Sequence, residues 1–443
     1  MLQLILIAAP VSLMYLGLML MGFVDLVMVG RLGAAEVGGV GVGNSFYSWV
    51  MIVGVGFISG MDFPAAHAIG AKNPERAFRV FVQGLWISII GGSILAAFCV
   101  LSTPLFQFMK MNSEVRPLAE QYLRVVAFSL PFVFILNACR SYLQAFNIVQ
   151  PFFWILVIGN ILNYLLLRAL LFGDFGFADL GYRLGYDGAA WATFYCRIFM
   201  AILSLGLVVT IDARSGKFLR KVGLAFHSEI FRVVIRLGFP AAMQMLLEVG
   251  MFSLSTVLAA RFSADSLAAH QIVLTTASMA FMIPLGISMA LSSLVGQAIG
   301  ANNLKLSRDR AVQGFILGLI MMAFTSSTML IFPDFILNVF RVDENVVEIA
   351  KSLLWVAGLF QFSDALQVIG AGALRGTGNT KWAAYSNAVG HWLVGFPVGM
   401  YLAFYGGKEV FGLWIGLSVG LTVVAALIVY GWYLKTKAFR VSS

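Results

Sequence analysis

The stretch AIGAKN (68–73) returns as AIGANN at 298–303, and the 230-residue interval between them organises the whole chain. At that offset Pro10 falls on Pro240, Arg31 on Arg261, Gly56 on Gly286, and Gln83-Gly84 on Gln313-Gly314. Residues 10–84 give 16 identities in 75 gap-free positions. LRVVA (123–127) keeps the same register with LLWVA (353–357), and after one inserted residue LQAFN (143–147) parallels LRGTG (374–378). The chain is one design written twice.

What is repeated is apolar. Of 443 residues, 60% are hydrophobic and 11% charged, where a soluble domain carries about 25% charged residues. The apolar runs are too long and too little alternating for an outer-membrane barrel, so they read as membrane-spanning helices. Twelve such runs lie near 4–30, 38–66, 77–103, 118–146, 151–172, 187–211, 238–260, 266–297, 311–332, 346–374, 382–404 and 411–434. This predicts an all-α integral membrane protein with six helices in each half. An even count gives both halves the same orientation, related by a pseudo-two-fold axis along the membrane normal. The expected division is an N-lobe at 1–211, a basic cytoplasmic linker at 212–237, and a C-lobe at 238–443.

The net charge of +9 does not point to nucleic acid, because of where the charge sits. With the N-terminus inside, 17 basic residues fall on the cytoplasmic side against 10 outside, leaving Arg140 and Arg197 within helices. That excess is the positive-inside pattern, and it places both termini in the cytoplasm. Residues 1–9 carry no positive region of the kind that opens a signal peptide. The three cysteines (Cys99, Cys139, Cys196) show no metal or redox spacing and read as small buried hydrophobes.

Three carboxylates interrupt the apolar runs: Asp25 in GFVDLVMVG (22–30), Glu248 in LLEVGMF (246–252) and Asp364 in FSDALQVIG (362–370). A charge at mid-bilayer costs about 2.5–3.5 kcal/mol on insertion scales, so such residues face cavities and mark ion, proton or substrate paths. At the repeat offset they stand opposite Ser255, Leu18 and Phe134, none of which is acidic. Fold symmetry therefore does not account for them. Convergence of Glu248 and Asp364 would make a cation site, or a pair that shares a proton because like charges at close range resist joint ionisation. The competing reading is a structural ion pair with Arg140, Arg197 or Arg375.

Weaker candidates for a substrate cavity are Asn44 and Ser45, Asn163, Thr193, Gln244, Gln271, and Phe360, which lies one turn before Asp364. Asp343, at the outer start of the tenth run, is placed to draw cations inward. Polar side chains within spans also serve as interhelical glue, and most aromatics simply pack. The mirrored Gly54-Val-Gly56 and Pro284-Leu-Gly286 are expected bend points. No P-loop, HExxH, GxSxG or TVGYG-like filter occurs, so neither an ATP motor, an enzyme nor a potassium channel is indicated.

On GFVDLVMVGRLG (22–33), LLEVGMFSLSTVLAARF (246–262), SLAAHQIVL (266–274), GAAWAT (188–193), FQFSDALQVIGAGALRGTGNT (360–380) and the two AIGA loops, the chain resembles the multidrug and toxic compound extrusion (MATE) transporters, in their NorM-like bacterial branch. The resemblance implies two six-helix lobes that open alternately and export organic cations in exchange for sodium or protons. It assigns ion coupling to Asp25, Glu248 and Asp364, and places Gln271 at the central cavity. Where many members carry Asn followed four residues later by Asp or Asn, this chain has Asn163 and then Leu167. That departure shifts weight from Asp25 to the Glu248/Asp364 pair.

The expectation is therefore a monomeric antiporter of the bacterial inner membrane, exporting cationic or amphipathic compounds against Na+ or H+. It needs no cofactor, ATP or nucleic acid, and membrane lipid is its surrounding partner. If sodium is the coupling ion, Glu248 and Asp364 are its ligands. The alternative is a flippase of related architecture for lipid-linked oligosaccharide or another lipid, which would require a basic central cavity.

Overall fold

The computed structural model describes residues 1–109, 113–175, 184–340 and 343–441, and all regular secondary structure among them is helical. The spans are α1 (Leu2–Val29), α2 (Ala34–Ser59, resumed at Asp62–Gly70), α3 (Pro74–Ser102), α4 (Val115–Ala127 and Leu130–Ala145), α5 (Gln150–Leu167) and α6 (Asp187–Ser215). The second half supplies α7 (Ser228–Ala259), α8 (Ala264–Gly300), α9 (Leu304–Ile331), α10 (Glu344–Arg375), α11 (Thr380–Asn387, continued by π-helical turns at Ala388–Gly395 and Tyr401–Tyr405) and α12 (Glu409–Val441). Eleven are individually long and apolar enough to cross a membrane, and α4 completes twelve as a pair of helices bent by 46°. The all-helical, twelve-span architecture is the one the apolar runs predict.

The repeated AIGA motif is a helix stop followed by a helix start. In the first copy Lys72 takes φ 56° and Asn73 N–H reaches back to Ala68 O at 2.8 Å; in the second, Asn302 takes φ 55° and Asn303 N–H bonds Ala298 O at 2.9 Å. This closure ties up carbonyls left over at a helix end. The following asparagine caps the next helix, Asn73 accepting from Arg76 N–H and Asn303 from Leu306 N–H, both at 2.9 Å. The LQAFN and LRGTG segments repeat the left-handed closure, with Asn147 at φ 62° and Gly378 at φ 76°, and the second adds the cap, Asn379 accepting from Trp382 N–H.

The boundary that differs most from the sequence expectation is the start of α7. α7 begins at Ser228, ten residues before the apolar run. Its first turn carries Glu229, favourable at a helix N-terminus, and Arg232 and Arg236 follow at the membrane edge. Basic side chains end a hydropathy window without ending a helix, because their stems can lie along apolar surface. Before α7 a short helix, Phe218–Val222, is capped by Asp212, whose carboxylate accepts from Phe218 and Leu219 N–H at 2.8 and 3.1 Å. The Gln83 amide then grips the chain at both Ala225 O (3.0 Å) and His227 N–H (3.1 Å).

The chain forms two compact units. The N-unit comprises Met14–Ile69 and Asn73–Ala242; the C-unit comprises Met1–Leu13, Gly70–Lys72 and Met243–Ser443. Each draws the first stretch of its partner repeat's leading helix: residues 1–13 belong to the C-unit, and α7 up to Ala242 to the N-unit. Glycines set the close contacts in both. In the N-unit a side chain on Gly54 would collide with the Phe134 ring, and one on Gly56 with the backbone of Ala242. In the C-unit Gly286 meets Ser12 in the same manner. Helices α2 and α8 are continuous through these positions, and the glycines there admit neighbouring helices. α11 and α12 meet along a glycine seam where Gly416 abuts the Gly399 backbone. Cys99, Cys139 and Cys196 are buried thiols.

Candidate functional site

The C-unit brings two of the three intramembrane acids to one side chain. Glu248 comes from α7, while Asp364 and Gln367 come from one face of α10, three residues apart. The Gln367 Nε2 donates to Glu248 Oε1 at 2.8 Å and to Asp364 Oδ1 at 3.1 Å. Asp364 and Gln367 are 5% and 1% exposed. The Gln367 Oε1 is buried and accepts no hydrogen bond. Next to Glu248, the Trp392 indole N–H of α11 bonds Leu247 O at 3.1 Å and ties α11 to this point of α7.

The N-unit holds Asp25 separately. Its Oδ1 accepts from Asn163 Nδ2 on α5 at 2.5 Å, and its Oδ2 from Thr193 Oγ1 on α6 at 3.1 Å. Asn163 and Thr193 are both buried. Leu167, standing where many MATE members carry a second polar residue, is wholly buried.

Among the described residues, no Lys or Arg nitrogen lies within 4 Å of any of the three acids, whereas five ion pairs form elsewhere. Direct ion pairs therefore do not account for these carboxylates, although the charges of Arg197 and Arg375 reach Asp25 and Glu248 respectively. Carboxylates removed from water without a cationic partner are costly in charged form, so they are poised to take up a proton or a cation. No group of three or more His, Cys, Asp or Glu side chains suited to a metal occurs among the described residues. A hard monovalent ion would have to find its oxygens in the two carboxylates together with neutral groups.

The remaining candidates are more scattered. Gln244 is buried on α7, one turn before Glu248. Gln271 is exposed on α8. Asn44 is half-buried on α2, and Ser45 beside it is exposed, its hydroxyl turned back on Gly41 O at 2.7 Å. Asp343 is exposed immediately before α10 and makes no capping bond to that helix. Phe360 is 2% exposed and lies flat on Trp414, centroids 5.7 Å apart and planes 10° from parallel. That ring packs the C-unit core, with its face already covered by an indole. Trp414 in turn donates to His270 Nδ1 at 3.1 Å, and His270 Nε2 pairs with Thr256 Oγ1 at 2.9 Å. The imidazole opposite the expected ligand-facing Gln271 is a satisfied core residue.

Sequence reasoning missed Gln367. Its signal was available: a polar residue three positions after a mid-span acid shares that acid's helix face.

Two six-helix repeats, intramembrane carboxylates outside any direct ion pair and glycine-packed spans define a multi-span membrane transporter. The MatE family model matches residues 10–167 and again 240–401, one match per repeat. The chain is 32% identical over 439 residues to the probable multidrug resistance protein NorM of Rhodopseudomonas palustris, covering 97% of this chain and 91% of that protein. It is 30% identical to the multidrug resistance protein NorM of Burkholderia vietnamiensis, covering 98% and 93%. Among solved structures, a eukaryotic MATE transporter superposes with a TM-score of 0.87 at 23% identity over 98% of this chain and 95% of that one. An outward-facing multidrug resistance MATE transporter gives 0.88 at 19% identity, covering 99% and 96%. The chain belongs to the MATE family, in its NorM-like branch. It is a multi-pass membrane transporter and not an enzyme.

Proposed function

We propose that the protein is a multidrug efflux antiporter, exporting cationic or amphipathic organic compounds in exchange for Na+ or H+. The observation that carries this reading is the pair Glu248 and Asp364, held on one Gln367 amide nitrogen at 2.8 and 3.1 Å, with no Lys or Arg nitrogen within 4 Å among the described residues. Two carboxylates sharing a single neutral donor are under-compensated, so positive charge brought to them lowers the free energy of the pair. An incoming ion and a cationic substrate then compete for the same oxygens. Facing outward, the site takes up its driving ion and releases the drug; facing inward, it loses the ion and regains affinity for drug. The two six-helix lobes alternate access. Asp25, with Asn163 and Thr193, assists from the N-unit. Bacterial relatives and the positive-inside pattern support the inner membrane with both termini cytoplasmic, where the protein acts as a monomer.

The test is ethidium flux in proteoliposomes under separately imposed sodium and pH gradients. Glu248→Gln and Asp364→Asn should each abolish ion-driven flux while leaving insertion and folding intact. Wild-type flux under one gradient identifies the driving ion. Full coupled export by both variants would overturn the mechanism.

A further inference from the structure

Helices α5 and α6 touch closely at one level and part toward one end. A Cβ on Gly159 would run into Met200 Sδ at 2.4 Å, and the Cys196 thiol donates to Gly159 O at 3.1 Å. From that contact toward Gln150 and Thr210 the helices leave between them a groove of about 760 Å³ on the face of the N-unit. Trp154 and Ile158 of α5 form one wall, Ile202 and Gly206 of α6 the other, and all four are exposed. A Cβ on Gly206 would meet nothing within 4 Å, so the groove is open there. Gly159 lies nine residues from Gln150, about 13 Å along the axis at 1.5 Å per residue. That is close to half of a hydrocarbon core about 30 Å thick. The groove therefore has the length of the tails in one leaflet.

The mouth of the groove is basic. Ile202, Gly206 and Thr210 stand one turn apart on α6, and Arg214, in its last turn, continues that face. Arg214 is exposed and forms no ion pair among the described residues. Lys217, Arg220 and Lys221 follow it directly and are exposed as well. The nearest acid in sequence, Asp212, is buried and turned to the Phe218 and Leu219 N–H groups. At the same end Gln150 and Thr210 put exposed polar side chains on the groove's edge. From mid-membrane outward the groove thus passes from apolar to polar to cationic. An anionic phospholipid runs in the matching order from tail to glycerol to phosphate.

We propose that the α5/α6 groove is a binding site for one anionic glycerophospholipid, its acyl chain laid along Gly206 and its phosphate at Arg214. Apolar burial holds the tail whatever the headgroup, and the basic cluster at the mouth selects a negative headgroup. The Arg214 guanidinium matches the paired oxygens of a phosphate. This inference rests on the N-unit alone and does not depend on the transported compound or on the ion that drives transport.

The experiment is native mass spectrometry of purified, delipidated full-length protein in detergent, titrated with dioleoyl phosphatidylglycerol or dioleoyl phosphatidylcholine. The two lipids share their chains and differ in headgroup charge. The first lipid adduct on wild type should form at least about fivefold more tightly with phosphatidylglycerol. Arg214→Gln should weaken the phosphatidylglycerol adduct about fivefold, the contribution of one basic side chain near an anionic headgroup, and the phosphatidylcholine adduct by less. Gly206→Phe fills the open groove without striking the protein, and should weaken the first adduct of both lipids about tenfold. Gly22→Phe, at another exposed glycine with nothing within 4 Å of an added Cβ, should bind as wild type does. A phosphatidylglycerol with brominated chains locates the site, since it should quench the part of the fluorescence that Trp154→Phe removes. Equal first-adduct affinities of wild type for the two lipids would overturn the proposal and leave an ordinary apolar contact with the bilayer. An unweakened phosphatidylglycerol adduct in Arg214→Gln or in Gly206→Phe would also overturn it, as would Trp154 emission untouched by the brominated lipid. Because binding is read without a gradient, these results stand apart from any failure of antiport.

Discussion

Replacing Gln367 by leucine removes the only donor shared by Glu248 and Asp364 while nearly preserving volume. In the wild type one amide nitrogen serves both carboxylates, at 2.8 and 3.1 Å. A hydrogen bond to a charged group is worth about 1.5–3 kcal/mol, and the amide stabilises the empty, negatively charged state more than the ion-loaded one. Deleting it raises the empty state and leaves the loaded state nearly unchanged. If one bond's worth is lost, the site holds its driving ion about tenfold to a hundredfold more tightly. Release on the low-potential side then becomes slow. In proteoliposomes, Gln367→Leu should lower the ion concentration giving half-maximal ethidium exchange by at least about tenfold, and lower the maximal rate as well. Parallel measurement of the apparent melting temperature separates this from misfolding. A half-maximal concentration that stays the same or rises would refute the reasoning, because the amide would then not be stabilising the empty pair.

Other outcomes follow from the packing. Gly416→Ala places a Cβ 2.3 Å from Gly399 Cα and should destabilise by about 1–3 kcal/mol, seen as a lower melting temperature in detergent. Gly22→Ala, with nothing within 4 Å, is the matched control and should be silent. Asn73→Ala and Asn303→Ala remove equivalent caps and should each cost about 0.5–2 kcal/mol; a loss at only one of them would break the equivalence of the two repeats. Trp414→Phe removes the indole bond to His270 and should cost about 1 kcal/mol without affecting ion coupling, since that network contacts neither Glu248 nor Asp364.

The fold was legible because its determinants are local. Apolar runs the length of a bilayer become helices wherever they occur, and the motif AIGAKN/AIGANN states its own geometry: a left-handed residue, then an asparagine cap. The start of α7 was misplaced because Arg232 and Arg236 interrupt hydropathy and not backbone hydrogen bonding. The acids were legible as exceptions to an apolar background, and Gln367 was hidden since glutamine is unremarkable until its neighbours are known. Phe360 misled for a related reason. Sequence places it one turn from Asp364, yet the i−4 position settles only its helix face, and that region of α10 packs on Trp414 of α12. Which helix covers a face is decided by tertiary contacts that no local pattern encodes.

The two units also differ in charge in a way that bears on coupling. The N-unit site holds one acid, Asp25, with a neutral donor on each oxygen, and Arg197 lies one turn beyond Thr193. Arg197 offsets part of the cost of burying Asp25 without touching it. The C-unit site holds two acids on one shared neutral donor, and the basic residue on the same helix, Arg375, lies eleven residues past Asp364. At 1.5 Å per residue that is about 16 Å from Asp364 along the axis, and its charge reaches the pair only as a partial offset at Glu248. The C-unit pair is therefore the place where an added positive charge lowers the energy most. Neutralising Arg197 should shift that balance: Arg197→Gln leaves Asp25 as an uncompensated acid and makes the N-unit a second place where a cation is favoured. In the exchange assay this variant should show a steeper dependence on driving-ion concentration than wild type, and adding Asp25→Asn should restore the wild-type steepness. An unchanged slope in the single variant would mean that Arg197 and Asp25 are electrostatically independent, and the charge argument for placing coupling in the C-unit would lose its contrast.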